Sequence, residues 1–213
     1  MKPDANTTFF GNSVDTGMML DELIVFLEEV ETFVSKKHTA LQSGEFQELE
    51  SSELEHLKYH FEHTQGYIVR HSIIVSLVST LEYATAKYCN TFKKYMDLKF
   101  SHKDFVGSAL EQFKIYISKV LCLPFDFQGD LWEDVKGLCE LRNYLVHSVP
   151  LANFGKKPIL EKFIQSTPFE LIDDQVDLNK EGCLYCINIV NDFDREITRL
   201  ALQVFPGHFG SNR

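Results

Sequence analysis

The stretch from Tyr67 to Met96 constrains the fold more than any other part of this sequence. Its apolar residues occur on nearly every side of the helix that their spacing predicts, so other elements must surround that helix. The chain also contains only 11 glycines and 6 prolines among 213 residues, which favours long helices over many short strands. We therefore predict an all-α fold that is built around this central helix.

Further helices are predicted on both sides of the central helix. Helical spacing and capping signals place them at about 18–44, 45–62 (with Gly66 as a break), Ser101 to Cys122, Asp130 to just before Pro150, and Gly182 to Val204 with Asn179 as its cap. The short apolar runs 169–172 and 176–178 predict a small β-hairpin before the last helix. We thus predict a flexible segment 1–17, one helical domain over 18–205 and a tail 206–213.

Charge and cysteine content narrow the setting in which the protein works. The formal net charge of −10 repels nucleic acid, so any chemistry on phosphate requires a local site. An odd number of cysteines, five, indicates reduced thiols rather than a disulfide framework. Neither a signal peptide nor an apolar run of about 18 residues is present. These features predict a cytoplasmic protein with no membrane contact.

Two charged residues occupy positions that the helical pattern reserves for apolar side chains. Arg142 falls in the stripe that includes Val135 and Leu138, and Glu82 falls between Val78 and Thr85 on the central helix. A guanidinium does not lose its proton, so an inward Arg142 must be paired or must lie at the mouth of a cleft. One interpretation is a structural ion pair between Glu82 and Arg142 that joins two helices.

A second interpretation follows from two residues close to Arg142. Asn143 and His147 are four positions apart, which places them on one helix face. The run Arg142-Asn143-Tyr144-Leu145-Val146-His147 lies near a predicted helix end, just before Pro150. These three residues, together with Glu82, are the candidate catalytic residues.

This run resembles the R-x4-6-H signature of the HEPN superfamily. The apolar frame around it is similar to that of many bacterial members, with Trp132, Val135, Leu138, Leu141 and Val146 at the matching positions. A glutamate on an upstream apolar helix, here Glu82, also recurs in such proteins. The resemblance implies an antiparallel HEPN-like helical bundle that acts as a metal-independent endoribonuclease, as a toxin or an antiphage effector.

The resemblance also implies how the site works. Two protomers of a homodimer would bring their motifs together into one composite cleft, where two copies of Arg142 make a positive pocket for RNA. His147 would serve as the acid–base group, Arg142 would bind phosphate oxygens, and Asn143 would orient either of them. An antitoxin is the implied protein partner. Some HEPN toxins carry a tyrosine two residues after the histidine, where a partner attaches AMP. Val149 stands there, so that form of neutralisation is not expected.

Other functions stay open at this stage. The chain is alternatively a catalytically inactive HEPN-like module that binds a protein or nucleotide, or a purely structural dimer. A face formed by Glu53, His56, His60 and His63 has the spacing of a zinc site, but a solvated acidic face explains it better. Cys183 and Cys186 have the C-x-x-C spacing of zinc ligands, but no second cysteine pair in the sequence completes such a site. No cofactor and no metal are predicted.

Overall fold

Helices dominate the computed structural model, which describes residues 4–43, 51–147, 158–172 and 175–205. They account for 81% of the described residues. The α-helices are α1 (Ala5–Gln42), α2 (Ser51–Tyr59), α3 (Gly66–Tyr95), α4 (Ala109–Ile115), α5 (Asp130–His147), α6 (Pro158–Gln165) and α7 (Lys180–Val204). Strands β1 (Glu170–Ile172) and β2 (Gln175–Asp177) pair antiparallel before α7. The predicted all-α class with one small hairpin is confirmed.

The contacts within the chain divide it into two compact units. Unit 1 comprises Met1–Leu20, Val78–Lys136 and Asn188–Arg213, and unit 2 comprises Asp21–Leu77 and Gly137–Ile187. Four helices are divided between the two units, with one part in each: α1, α3, α5 and α7. The single domain predicted over residues 18–205 stays a prediction, as does the HEPN-like arrangement of the helices.

Helix α1 begins much earlier than its apolar spacing predicts. The Asp4 carboxylate caps it by accepting a hydrogen bond of 2.8 Å from the backbone N–H three residues later. Phe9 is fully buried, and Asn12 is buried with a hydrogen bond of 3.0 Å to Thr91. The prediction of a flexible segment over 1–17 is therefore wrong for its helical part. The start of α1 buries hydrogen-bonded polar side chains, and an apolar periodicity does not reveal these.

Gly66 does not interrupt a helix, contrary to the prediction. Its backbone angles are helical (φ −58°, ψ −45°), and a six-residue π-helical turn, His60–Gln65, joins α2 directly to α3. A Cβ atom on Gly66 would lie 3.2 Å from Nη1 of Arg70. Arg70 donates two hydrogen bonds to the Glu31 carboxylate, at 2.7 and 2.9 Å, and one to the Leu178 carbonyl at 3.1 Å. The missing side chain thus leaves room for a guanidinium.

Helix α4 starts seven residues later than the first capping signal indicates. Ser101 and Asp104 do form a capping box, but it closes only a single 3₁₀ turn. A second box, made by Ser108 and Glu111, caps α4 itself. Gly107 lies between the two boxes with φ +124°, a conformation that no α-helix contains. The first box therefore cannot begin the helix.

Each unit has a core of its own. In unit 1 the core is aromatic, with ring centroids of Phe113 and Phe193 5.5 Å apart and those of Phe127 and Trp132 4.9 Å apart. In unit 2, α6 occupies a segment for which no helix is predicted. Its Phe163 packs on α5 where Gly137 has no side chain, since a Cβ there would lie 2.3 Å from the ring.

Candidate functional site at the end of helix α5

Helix α5 carries the predicted motif in its last two turns. It spans Asp130–His147, which confirms the predicted start at Asp130, whereas the predicted end just before Pro150 falls outside the described residues. Its most buried side chains, each at most 2% exposed, are Trp132, Val135, Leu138 and Leu141. From residue 142 onwards no side chain of α5 is fully buried, and the last two are exposed. The candidate residues therefore lie where α5 leaves the core.

Arg142 lies on the face that the sequence analysis assigns to it. It follows Leu138 by four positions and Val135 by seven, and both of those side chains are fully buried. Arg142 itself is half-buried. A guanidinium in that position keeps part of its hydration and avoids the full penalty of burying a charge. It therefore lies at the edge of the core rather than inside it.

Asn143 and His147 are on the face next to that of Arg142. Asn143 is half-buried and His147 is exposed. Because they are one turn apart, the two residues share one face of α5. Neither Arg142 nor His147 is sealed inside the protein, and a site that acts on a polymer requires this access.

The beginning of α3 lies against the end of α5 within unit 2. Nε2 of His71 is 3.2 Å from the Leu145 carbonyl oxygen. A carbonyl only accepts hydrogen bonds, so Nε2 of His71 carries a proton and satisfies one of the orphan carbonyls of the last turn. The ring of Tyr67 lies 6.1 Å from that of His71. Burial, and then the neighbouring Tyr144, raise the pKa of Tyr67.

These two residues on α3 are not among the sequence candidates. Tyr67 and His71 are four positions apart on one helix, and that spacing was the available signal. Their proximity to α5 is a tertiary contact, which helical periodicity does not reveal. They position the last turn of α5 and the backbone that carries His147.

Glu82 belongs to the other unit. It is half-buried in the middle of α3, between the buried Leu81 and the exposed Tyr83. Its position in the apolar stripe of the central helix predicts burial, whereas the structure leaves the side chain half-buried. Unit 1 contains Glu82, whereas unit 2 contains the candidate residues on α5. The ion pair between Glu82 and Arg142 stays a prediction.

The described residues include no group of three or more side chains that could hold a metal ion. On the histidine face, Glu53 and His56 are exposed and His60 is half-buried, while the side chain of His63 lies outside the described part. Cys183 is fully buried, and burial raises its pKa to about 12, which keeps it a thiol rather than a ligand.

Comparison with known proteins adds no relative to this picture. No family model, no curated protein and no solved structure matches the chain. Within the described ranges, none of the helices combines the length and apolar character that crossing a bilayer requires.

Proposed function

We propose that this protein is a HEPN-like metal-independent endoribonuclease, a toxin or antiphage effector that works as a homodimer. The observation that carries the proposal is the arrangement at the end of α5. Arg142 is half-buried on the inward stripe, while Asn143 and the exposed His147 share the adjacent face. A fixed cation beside an accessible imidazole is the pairing that cleavage of a phosphodiester requires.

The proposed reaction is attack of a ribose 2′-OH on the neighbouring phosphorus. His147 takes the proton of the 2′-OH, the new O2′–P bond forms, and the P–O5′ bond breaks. The leaving O5′ takes up a proton from water, and His147 later returns its proton to solvent, which gives a 2′,3′-cyclic phosphate and a 5′-OH end. Arg142 binds the non-bridging phosphate oxygens, whose negative charge grows in the transition state.

Exposed apolar side chains around the site support a dimer. Val146 on α5 is 47% exposed, and Tyr67 and Ile68 on α3 are 41% and 56% exposed. All three belong to unit 2, as do Arg142 and His147. Apolar surface that borders a charged site is typical of an interface between protomers. A second copy would cover it and add a second guanidinium.

The test compares the wild type with His147→Ala and Arg142→Lys. We expect wild-type expression to stop growth and fragment cellular RNA, and the purified protein to leave 2′,3′-cyclic phosphate ends in EDTA. His147→Ala removes the acid–base group, a change that typically costs about 10²- to 10⁴-fold in rate. Arg142→Lys keeps the charge but loses the bidentate fork. His56→Ala, an exposed histidine on α2, is the matched control.

Two results would count against the ribonuclease. Full activity in His147→Ala would remove the acid–base group from the mechanism. Cleavage that stops in EDTA and returns with Mg²⁺ or Zn²⁺ would replace the mechanism with a metal-dependent one.

A second candidate function is a catalytically inactive HEPN-like module that binds a protein partner. An apolar groove in unit 2 favours it, and Val30, Phe33, Val34, Ile68 and Val69 line this groove. Phe33 and Ile68 are 47% and 56% exposed. If this function is correct, RNA stays intact under all conditions. Phe33→Ala, but not His147→Ala, then changes the growth of cells that express the protein.

A further inference from the structure

The end of α3 and its connection to α4, residues 96–108, together carry an excess of positive charge in an acidic protein. From Lys93 to Asp104 there are four lysines and two acidic residues, Asp97 and Asp104, although the whole chain has 31 acidic and 21 basic residues. Lys99 and Lys103 are exposed, and neither forms an ion pair with any described residue. Their charge is therefore available to an anionic partner.

Large apolar side chains of the same loop point into solvent. Phe100, next to Lys99, is 61% exposed, and Val106 is 94% exposed. An aromatic ring with water on both faces gains no hydrophobic stabilisation, whereas stacking on another flat group removes the apolar surface of one face from water. A phenylalanine between two lysines matches a nucleotide, which has one flat base between two phosphates.

The loop presents these side chains from an ordered backbone. At its start, the N–H of Leu98 donates to the Lys93 carbonyl at 3.0 Å, while Asp97 adopts φ +50°, which together make a helix-ending Schellman motif. After it, the Ser101–Asp104 capping box fixes the turn that carries Lys103. The loop therefore pays little conformational entropy on binding.

Two aromatic anchors hold the other side of the loop. His102 is only 5% exposed, and its ring packs edge-on against that of Tyr116 at 6.3 Å. The Tyr116 hydroxyl donates a hydrogen bond of 3.3 Å to the Phe100 carbonyl oxygen. The backbone of Phe100 is thus tied to the core of unit 1 while its ring faces outwards.

We propose that the 96–108 loop binds single-stranded RNA, with a base stacked on Phe100 and the flanking phosphates on Lys99 and Lys103. The strand must be single because a base in a duplex has no free face. The choice of RNA over DNA rests on the proposed function. An extended anionic membrane fits less well, because 31 acidic residues repel a broad negative surface, whereas a narrow strand reaches a local patch.

Binding is measured in the His147→Ala background, so that the RNA probe is not cut. The probe is a fluorescent oligouridylate of about ten nucleotides, followed by anisotropy over a range of salt concentrations. We expect Phe100→Ala to weaken binding about five- to hundredfold. Lys99→Gln and Lys103→Gln should each reduce the salt slope by about 0.7.

Matched controls come from surfaces outside the loop. Phe10→Ala removes a ring that is 58% exposed on α1, and Lys36→Gln removes an exposed lysine on the same helix. Both controls should leave RNA affinity and salt slope unchanged. All substituted side chains are exposed, so thermal melts should stay close to that of the parent protein.

Equal affinity of Phe100→Ala and the parent for the oligouridylate would overturn the proposal. So would loop-dependent binding to phosphatidylserine vesicles without loop-dependent binding to RNA. Neither outcome depends on cleavage, because His147 is absent from every protein in the assay. Failure of the ribonuclease proposal would appear instead as intact RNA in the presence of the wild type.

Discussion

The hydroxyl of Tyr88 donates a hydrogen bond of 3.0 Å to the carboxylate of Asp194 inside unit 1. The Ser13 hydroxyl donates to the same carboxylate at 2.5 Å. Asp194 is only 4% exposed, and no ion pair among the described residues involves it. Neutral hydroxyls thus solvate a buried acid, and burial raises its pKa above the ordinary 3.8.

A raised pKa in the folded state makes stability depend on pH in a definite direction. The folded protein binds the Asp194 proton more tightly than the unfolded chain does. Its contribution to the free energy of unfolding is therefore fully present below the ordinary pKa of 3.8 and is lost as pH rises through the folded value. Asp194→Asn, a neutral isostere, should remove this part of the pH dependence, as urea unfolding at several pH values will show.

The control for Asp194→Asn is Asp192→Asn, which changes an exposed carboxylate two residues earlier on α7. It should leave the pH profile of unfolding unchanged. Identical profiles for Asp194→Asn and the wild type would show that the buried carboxyl does not titrate as its surroundings require.

The ion pair between Arg70 and Glu31 should stabilise unit 2 more than the ion pair between Lys180 and Glu28 does. Their side chains are 16% and 20% exposed, and the contact is bidentate. Glu31→Gln should therefore lower the free energy of unfolding by about 1.5–3 kcal/mol. Glu28, whose carboxylate pairs with Lys180, is 50% exposed, so Glu28→Gln should cost less than about 1 kcal/mol. Equal losses in chemical denaturation would contradict this ranking.

Two glycines should respond in opposite directions to the same substitution. Gly137→Ala drives a methyl group into the ring of Phe163, which should cost about 1–3 kcal/mol through overpacking. Gly17→Ala adds a methyl group to α1 where nothing lies within 4 Å, and should gain about 0.5–1 kcal/mol from helix propensity. Denaturant midpoints measure both. A stabilised Gly137→Ala would mean that α6 does not pack on α5 in this way.

His102 should make the protein sensitive to acid. Its pKa is lowered from 6.5 first by burial and then by Lys103; Asp104 opposes this effect, and Lys93 adds a smaller lowering. A depressed pKa means that the stability is present above the ordinary value and is lost as pH falls through the folded value. His102→Phe removes the titration, so its free energy of unfolding should fall less between about pH 7 and pH 5.

The natural comparison for His102→Phe is His56→Phe on α2, where the histidine is exposed. That variant should keep the acid sensitivity of the wild type. If His102→Phe also keeps it, then the loss of stability in acid comes from other groups.

The elements predicted most accurately are those whose signals are local. Helix α7 begins where Asn179 caps it, with the Gly182 N–H donating to its side-chain oxygen at 2.7 Å. The hairpin before it and the start of α5 were likewise readable from alternation and from a capping signal. In each case the residues that determine the structure are neighbours in sequence.

The wrong secondary-structure predictions concern features that are determined by residues far apart in sequence. Gly66 lies within a helix, and Arg70, on its way to Glu31, takes the space that a side chain at Gly66 would need. Helix α6 was missed because it is short and starts at Pro158, which in isolation indicates a loop as readily as a first helical turn. Its stability comes from burying Phe163 on Gly137, a contact that no local pattern contains.

The candidate site likewise has features that local sequence predicts and features that only tertiary packing determines. The inward direction of Arg142 and the shared face of Asn143 and His147 follow from helical spacing alone. Their degree of burial, and the support that His71 gives to the Leu145 carbonyl, depend on where α3 lies.

The distribution of α7 between both units has a consequence for synthesis. Its residues up to Ile187 complete unit 2, and those from Asn188 complete unit 1, where Asp194 bonds to Ser13 across 181 positions of sequence. A nascent chain therefore cannot close either unit until α7 has left the ribosome. Until that moment the partners of α7 stay exposed to chaperones and proteases, and a chain truncated before Lys180 lacks the core residues that α7 supplies to each unit.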